Sequence, residues 1–240
     1  MSRERFQDAL WVNHPVKISV GGAGGIGSWY SFFATRAGFN VQVHDFDVVE
    51  EHNLGGQLFL HQDIGSRKID ALSNVVSLFN DEDFSLLCYS TKIDNNTPLY
   101  PFQHYRGALT IIVSAFDNMK ARTDLFNIAI RVAQNCDVYF IDGRLLMEQM
   151  RIYCVNMKDE TAVQDYAVNH LFDDSEVEEL PCTMKQVSHG AAMIATHMMG
   201  FTTNIISNYF VWKEEVFKVP YIWDYIIPMN KITEHYEPTS

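Results

Sequence analysis

Gly21-Gly22-Ala23-Gly24-Gly25-Ile26-Gly27-Ser28 follows directly on the apolar run Val16-Lys17-Ile18-Ser19-Val20, and a second apolar run about twenty residues on ends in Asp45-Phe46-Asp47. An apolar run entering glycines and then a helical pattern reads as strand, turn and helix. That arrangement brings backbone N–H groups and the positive end of a helix up to a phosphate, while an acid closing the next strand can hold a ribose hydroxyl. Side chains in the turn would block so close an approach. Gly22, Gly24, Gly25 and Ile26 are therefore candidate nucleotide contacts, with Asp45 and Asp47 at the ribose side. Glycines after a strand also serve plain tight turns, and an acid there can be a turn residue.

Outward from this unit the pattern repeats. Residues 16–20 predict a strand, 26–37 a helix, 40–45 a strand, 68–79 a helix with Ile69, Leu72, Val75, Val76 and Phe79 on one face, and 84–90 a short strand. Then come a strand at 109–113, a helix at 119–134 and a strand at 138–141. Strands alternating with helices imply right-handed crossovers and a Rossmann-like, mostly parallel α/β sheet flanked by helices, with ligands at the carboxyl ends of the strands. After 145 the texture changes: one or two further strands at 146–155, an acidic and aperiodic stretch at 158–181 that predicts an exposed loop or lid, and a methionine-rich helix at 186–211. The aromatic tail at 221–228 has no assignment. A single domain over 1–240 is expected, with a nucleotide-binding core at 14–144 and a crossover and dimer region at 145–240.

At 240 residues and 47% hydrophobic content the chain can bury the core of one such domain. A net charge of −12 argues against duplex nucleic acid or an anionic membrane, which need clustered Lys and Arg. There is no apolar run long enough to span a bilayer and no signal-peptide core at the N-terminus, so a cytoplasmic protein is expected. Cys88, Cys136, Cys154 and Cys182 lack the paired spacing of a structural zinc site. The first three lie in apolar stretches and read as small core residues.

Further motifs narrow the class. Asp45-Phe46-Asp47-Val48-Val49-Glu50-Glu51-His52-Asn53-Leu54-Gly55-Gly56-Gln57 is followed by Gly65-Ser66-Arg67-Lys68 and later by Phe116-Asp117-Asn118-Met119-Lys120-Ala121-Arg122. This ordered set resembles the ThiF family, which includes adenylyltransferases that activate sulfur-carrier proteins and the adenylation domains of ubiquitin-activating enzymes. Its pattern is a GxGGxG turn, DxDxVxxxNLxRQ, a GxxK helix start and a strand end DNxxxR. The resemblance runs in register from about Lys17 to Arg131, and more loosely beyond.

The resemblance implies an ATP-dependent adenylyltransferase. It would use Mg²⁺, work as a homodimer, and activate the C-terminal carboxylate of a small ubiquitin-like or sulfur-carrier protein ending in Gly-Gly. On its pattern Asp117 is the metal-binding acid, Lys68 contacts phosphates, Asn53 and Gln57 surround the triphosphate, and Asp45 holds the ribose. Asp117 could instead cap the helix that follows it. Cys182, in Leu180-Pro181-Cys182-Thr183, resembles the position of a cysteine that receives the carrier as a thioester, with His189 as a possible base. An ordinary loop cysteine and a surface histidine are the plain alternatives.

The chain also departs from the family. Gly56 stands where the family has arginine, so either another cation substitutes, with Arg67, Arg122 and Arg144 as candidates, or adenylation is impaired. Arg3 and Arg5 only weakly resemble a family arginine that reaches across the dimer. Two other classes stay open: a catalytically silent partner subunit, favoured by Gly56, and an NAD-dependent oxidoreductase, which the Gly-rich turn and Asp45 alone would also suit.

Overall fold

The structure, a computed structural model, describes residues 6–80, 85–98, 108–146, 148–173 and 187–238. Its sheet has eight strands in the order β3-β2-β1-β4-β5-β6-β7-β8. The first five, β1 (Val16–Gly21), β2 (Val41–His44), β3 (Leu86–Tyr89), β4 (Leu109–Ser114) and β5 (Asp137–Leu146), run parallel. The last three, β6 (Gln149–Asn156), β7 (Ile222–Ile226) and β8 (Lys231–His235), continue antiparallel.

The chain builds outward from β1 to β2 and β3, then returns to place β4 on the other side of β1. That reversal leaves a crevice at the carboxyl ends of β1 and β4, which is where open α/β sheets take ligands. Helices α1 (Gly25–Arg36), α2 (Lys68–Ser77) and α5 (Ser188–Ser207) cover one face of the sheet, while α3 (Met119–Ala133) and α4 (Glu160–Asn169) cover the other.

The central strand shows why the sheet is covered twice. Along β4, Ile111 and Val113 join the cluster containing Tyr30, Leu72 and Met198, while Ile112 joins the opposite cluster containing Leu125, Phe126 and Tyr166. Alternate residues point to opposite faces, so a strand apolar at every position must be buried on both. α5 lies close over the sheet: a Cβ at Gly143 would sit 2.6 Å from the Met198 sulfur. Met198 and Met199 are thus core residues, and the partly buried Met193 packs against the same cluster.

Four sequence expectations change. The stretch expected to be aperiodic contains α4, whose N-cap Asp159 accepts hydrogen bonds from the Thr161 and Ala162 amides at 3.0 and 3.1 Å. Only Ala162, Asp165 and Tyr166 of that helix are buried, a stripe too thin to show as periodicity. β5 runs on to Leu146 rather than stopping at 141 because β6 pairs with it antiparallel. The unassigned tail supplies β7, and beyond it β8. The methionine-rich helix is shorter than 186–211, passing into a π-helical turn at Asn208–Trp212.

Ile111 is fully buried at the sheet centre. Ile111→Ala should cost about 2–5 kcal/mol of unfolding free energy, seen as a lower urea midpoint at unchanged slope.

Candidate functional site

The turn after β1 is shaped by what its glycines leave out. Gly22 has φ 92, in the left-handed region, and a Cβ there would meet the Ala115 carbonyl at 2.9 Å. A Cβ at Gly27 would lie 1.9 Å from the Gly22 carbonyl oxygen, so α1 can start against the turn only without a side chain. The Gly22 amide donates to the His44 carbonyl at 2.9 Å and the Ala23 amide to Asp45 Oδ2 at 2.7 Å.

α1 then begins with the bond from the Ser28 amide to the Gly24 carbonyl, which leaves the amides of Gly25, Ile26 and Gly27 without intrahelical acceptors, and no side chain caps them. The Ile26 side chain itself is core, so that residue can reach a ligand only through its backbone.

Asp45 is a buried acid whose second oxygen accepts from the Asp47 amide at 2.8 Å. Burial raises its pKa, against the opposing pull of the Ala23 amide and Lys68. It therefore shapes the turn as well as lining the cavity, and its remaining lone pairs are where a ribose hydroxyl could donate.

The facing wall comes from the segment after β2. The Lys68 amide donates to the Asp47 carbonyl at 2.9 Å and its buried ammonium pairs with Asp47 Oδ2 at 3.0 Å. Asn53 Oδ1 accepts the Glu50 amide at 2.8 Å, a local backbone role. Gln57 differs: its buried carboxamide oxygen has no protein partner among the described residues, and its Nε2 lies 3.9 Å from where a Gly24 Cβ would be. A buried acceptor left open beside the Gly-rich turn suits a polar ligand.

Asp117 was expected either to hold metal or to cap α3. The cap is Asn118, whose Oδ1 accepts from the Ala121 amide at 2.8 Å, which leaves the exposed Asp117 carboxylate in the cavity. The cavity measures about 780 Å³ and is lined by Gly22, Gly24, Gly25, Asp45, Asp47, Asn53, Gln57, Lys68 and Asp117 together. No cluster of three or more metal-ligating side chains occurs among the described residues. One carboxylate completed by phosphate oxygens is how Mg²⁺ is commonly held, so the donors fit that ion.

The arginines proposed to replace the missing one do not line the cavity. Arg67 pairs with Asp70 at 2.6 Å, while Arg122 and Arg144 both bind the buried Asp142. The cations that do line it are Lys68, Lys92 and Lys120. Lys120 pairs with Asp124 at 2.8 Å, and Lys92 lies 5.7 Å from the Phe46 ring centroid. Sequence reasoning passed over Lys92 because it lies outside every motif, although its place just after β3, at a carboxyl end of the parallel sheet, was the available signal.

His44 was missed as well. It stacks on Tyr89 at 4.8 Å, shares a 3.2 Å hydrogen bond with Thr91, and is pushed down to about 4 by burial and by Lys17. His189 is exposed at the start of α5 and does not line the cavity. Cys182, Arg3 and Arg5 lie outside the described residues. No helix among the described residues is long and apolar enough to cross a membrane.

A family model described as the ThiF family matches residues 7–235. Among solved structures the chain is similar to E. coli MccB with ATP, at 17% identity and a TM-score of 0.71, covering 98% of this chain and 67% of that one. PaaA is also similar, at 17% identity and a TM-score of 0.66 over 98% and 76% of the two chains. A third is the E. coli tRNA N6-threonylcarbamoyladenosine dehydratase TcdA, at 14% identity and 0.60 over 83% and 88%. At these identities the likeness is one of fold. No curated protein matches the sequence.

His44 is held neutral in the folded chain, whereas an unfolded histidine takes up its proton near the ordinary 6.5. Unfolding should therefore become easier as pH falls from about 6.5 to 4, by on the order of 3 kcal/mol, with no such contribution above that window. Denaturation curves of wild type and His44→Gln should diverge across that range and run parallel above it.

Proposed function

From the premise that the chain belongs to the ThiF family, we propose that it is an ATP-dependent adenylyltransferase acting on a carboxylate. The observation that carries this reading is Asp117: Asn118 takes over the helix cap and leaves an acid in the same cavity as the Gly-rich turn. The finer proposal is that the acceptor is the C-terminal carboxylate of a ubiquitin-like or sulfur-carrier protein ending in Gly-Gly.

In such a reaction a carboxylate oxygen attacks the α-phosphorus, the bond to the bridging oxygen breaks, and pyrophosphate leaves. The chain's part is to place the nucleotide and offset its charge, since phosphoryl chemistry depends on positioning and electrostatics. The amides of Gly25, Ile26 and Gly27, at the positive end of α1, suit phosphate oxygens. Asp45 is placed for the ribose, and the open Gln57 oxygen for a further donor. Mg²⁺ held by Asp117 would neutralise phosphate charge.

Lys68, Lys92 and Lys120 supply the cationic charge in the absence of an arginine at 56. Gly56 has φ −131, outside the left-handed region that favours glycine. The same glycine supports a second reading, a silent partner subunit that keeps the fold and binds nucleotide without turning it over.

ATP–pyrophosphate exchange with Mg²⁺ and carriers ending in Gly-Gly separates the two. Carrier-dependent exchange is expected, abolished in Asp117→Ala and lowered on the order of 100-fold in Lys120→Ala. ATP binding without exchange, with every carrier tried, would favour the silent subunit.

A further inference from the structure

We propose that Arg122 is a positioning residue that clamps Phe116 and thereby holds Asp117 in register with the Gly-rich turn. The inference rests on the nucleotide reading above. The Arg122 guanidinium, buried in α3, reaches three acceptors: Nη1 donates to Asp142 Oδ1 and, at 3.2 Å, to the Gly143 carbonyl, while Nη2 donates to the Phe116 carbonyl. The Phe116 carbonyl belongs to the planar peptide that joins it to Asp117, so fixing that oxygen fixes the plane from which Asp117 departs.

The other end of Phe116 is fixed by the turn itself. A Cβ at Gly21 would lie 2.6 Å from Phe116 Cε2, and one at Gly22 would lie 3.2 Å from Cδ1, so the ring rests on the backbone of the turn. Phe116 is thus held by its carbonyl from α3 and by its ring against the turn, and it carries Asp117 between them.

The anchor behind Arg122 is equally constrained. Asp142 is fully buried, and its second oxygen accepts from Arg144 Nε at 2.7 Å and from the Tyr166 hydroxyl at 2.9 Å. Burial alone would raise the Asp142 pKa, but the two guanidinium groups outweigh it and hold the carboxyl below its usual range, so the anchor stays charged. Arg144 in turn packs over Tyr153, 4.6 Å from the ring centroid, and donates to the His170 carbonyl at 2.7 Å. A lysine at 122 would keep the charge but could not span the three acceptors, because its ammonium is a single point rather than a planar fork.

The test is calorimetric titration of ATP, with and without Mg²⁺, into wild type, Arg122→Lys and Phe116→Leu. In wild type, Mg²⁺ should tighten ATP binding. In Arg122→Lys that Mg²⁺-dependent gain should fall about 10- to 100-fold, as when the support of a metal ligand is lost, with metal-free ATP affinity preserved. Phe116→Leu should reduce the same gain, and it carries the test if Arg122→Lys does not fold. An unaltered Mg²⁺ gain in folded Arg122→Lys, or in Phe116→Leu where Arg122→Lys does not fold, or a wild type that binds ATP equally with and without Mg²⁺, overturns the inference alone. A wild type that binds no ATP overturns the nucleotide reading and this inference with it.

Discussion

Helix α1 can begin where it does only because two positions carry no side chain. The point where a Gly27 Cβ would stand is 1.9 Å from the Gly22 carbonyl oxygen, well inside van der Waals contact. With both glycines in place, the first amides of α1 open onto the crevice between β1 and β4, and Asp45 pins the turn through the Ala23 amide. The rest of the layer follows from that start. α1 packs Ile26, Tyr30 and Ala34 into the core shared with α5, and the Tyr30 hydroxyl meets Thr202 Oγ1 of α5 at 2.7 Å.

Charge is allocated with the same economy. The buried Asp142 absorbs two guanidinium groups, and a buried carboxylate without such partners would be costly. Those arginines are therefore part of the frame, and the cavity is left with lysines. An ammonium on a flexible stem meets phosphate as a point charge, whereas a guanidinium fork grips it in two places. The cationic side chains that line the cavity are therefore Lys68, Lys120 of α3 and Lys92 of the segment after β3.

Most of the parallel core was legible in the sequence because each strand is apolar and each flanking helix shows one apolar face. The motif residues Gly22, Gly24, Asp45, Lys68 and Asp117 do converge on one cavity, as their order along a βαβ chain implied. What escaped reading had physical causes. α4 buries three residues, too few for a periodic signal, and β7 and β8 are short strands in an aromatic tail. The division of labour between Asp117 and Asn118 depends on which side chain turns back to the Ala121 amide. Likewise the engagement of Arg122 depends on Asp142, which lies 20 residues on in β5, and no pattern within α3 announces it; Asp142 and Arg144 stand two apart on one face of β5, a pairing the strand period could have suggested.

The turn and Asp45 would by themselves suit either ATP or a dinucleotide, so the most direct measurement is a calorimetric comparison of Mg–ATP with NAD⁺ on the wild-type protein. A triphosphate site built from the Gly-rich turn, Lys68 and Asp117 predicts saturable binding of Mg–ATP and none of NAD⁺. Saturable NAD⁺ binding with no uptake of Mg–ATP would contradict it.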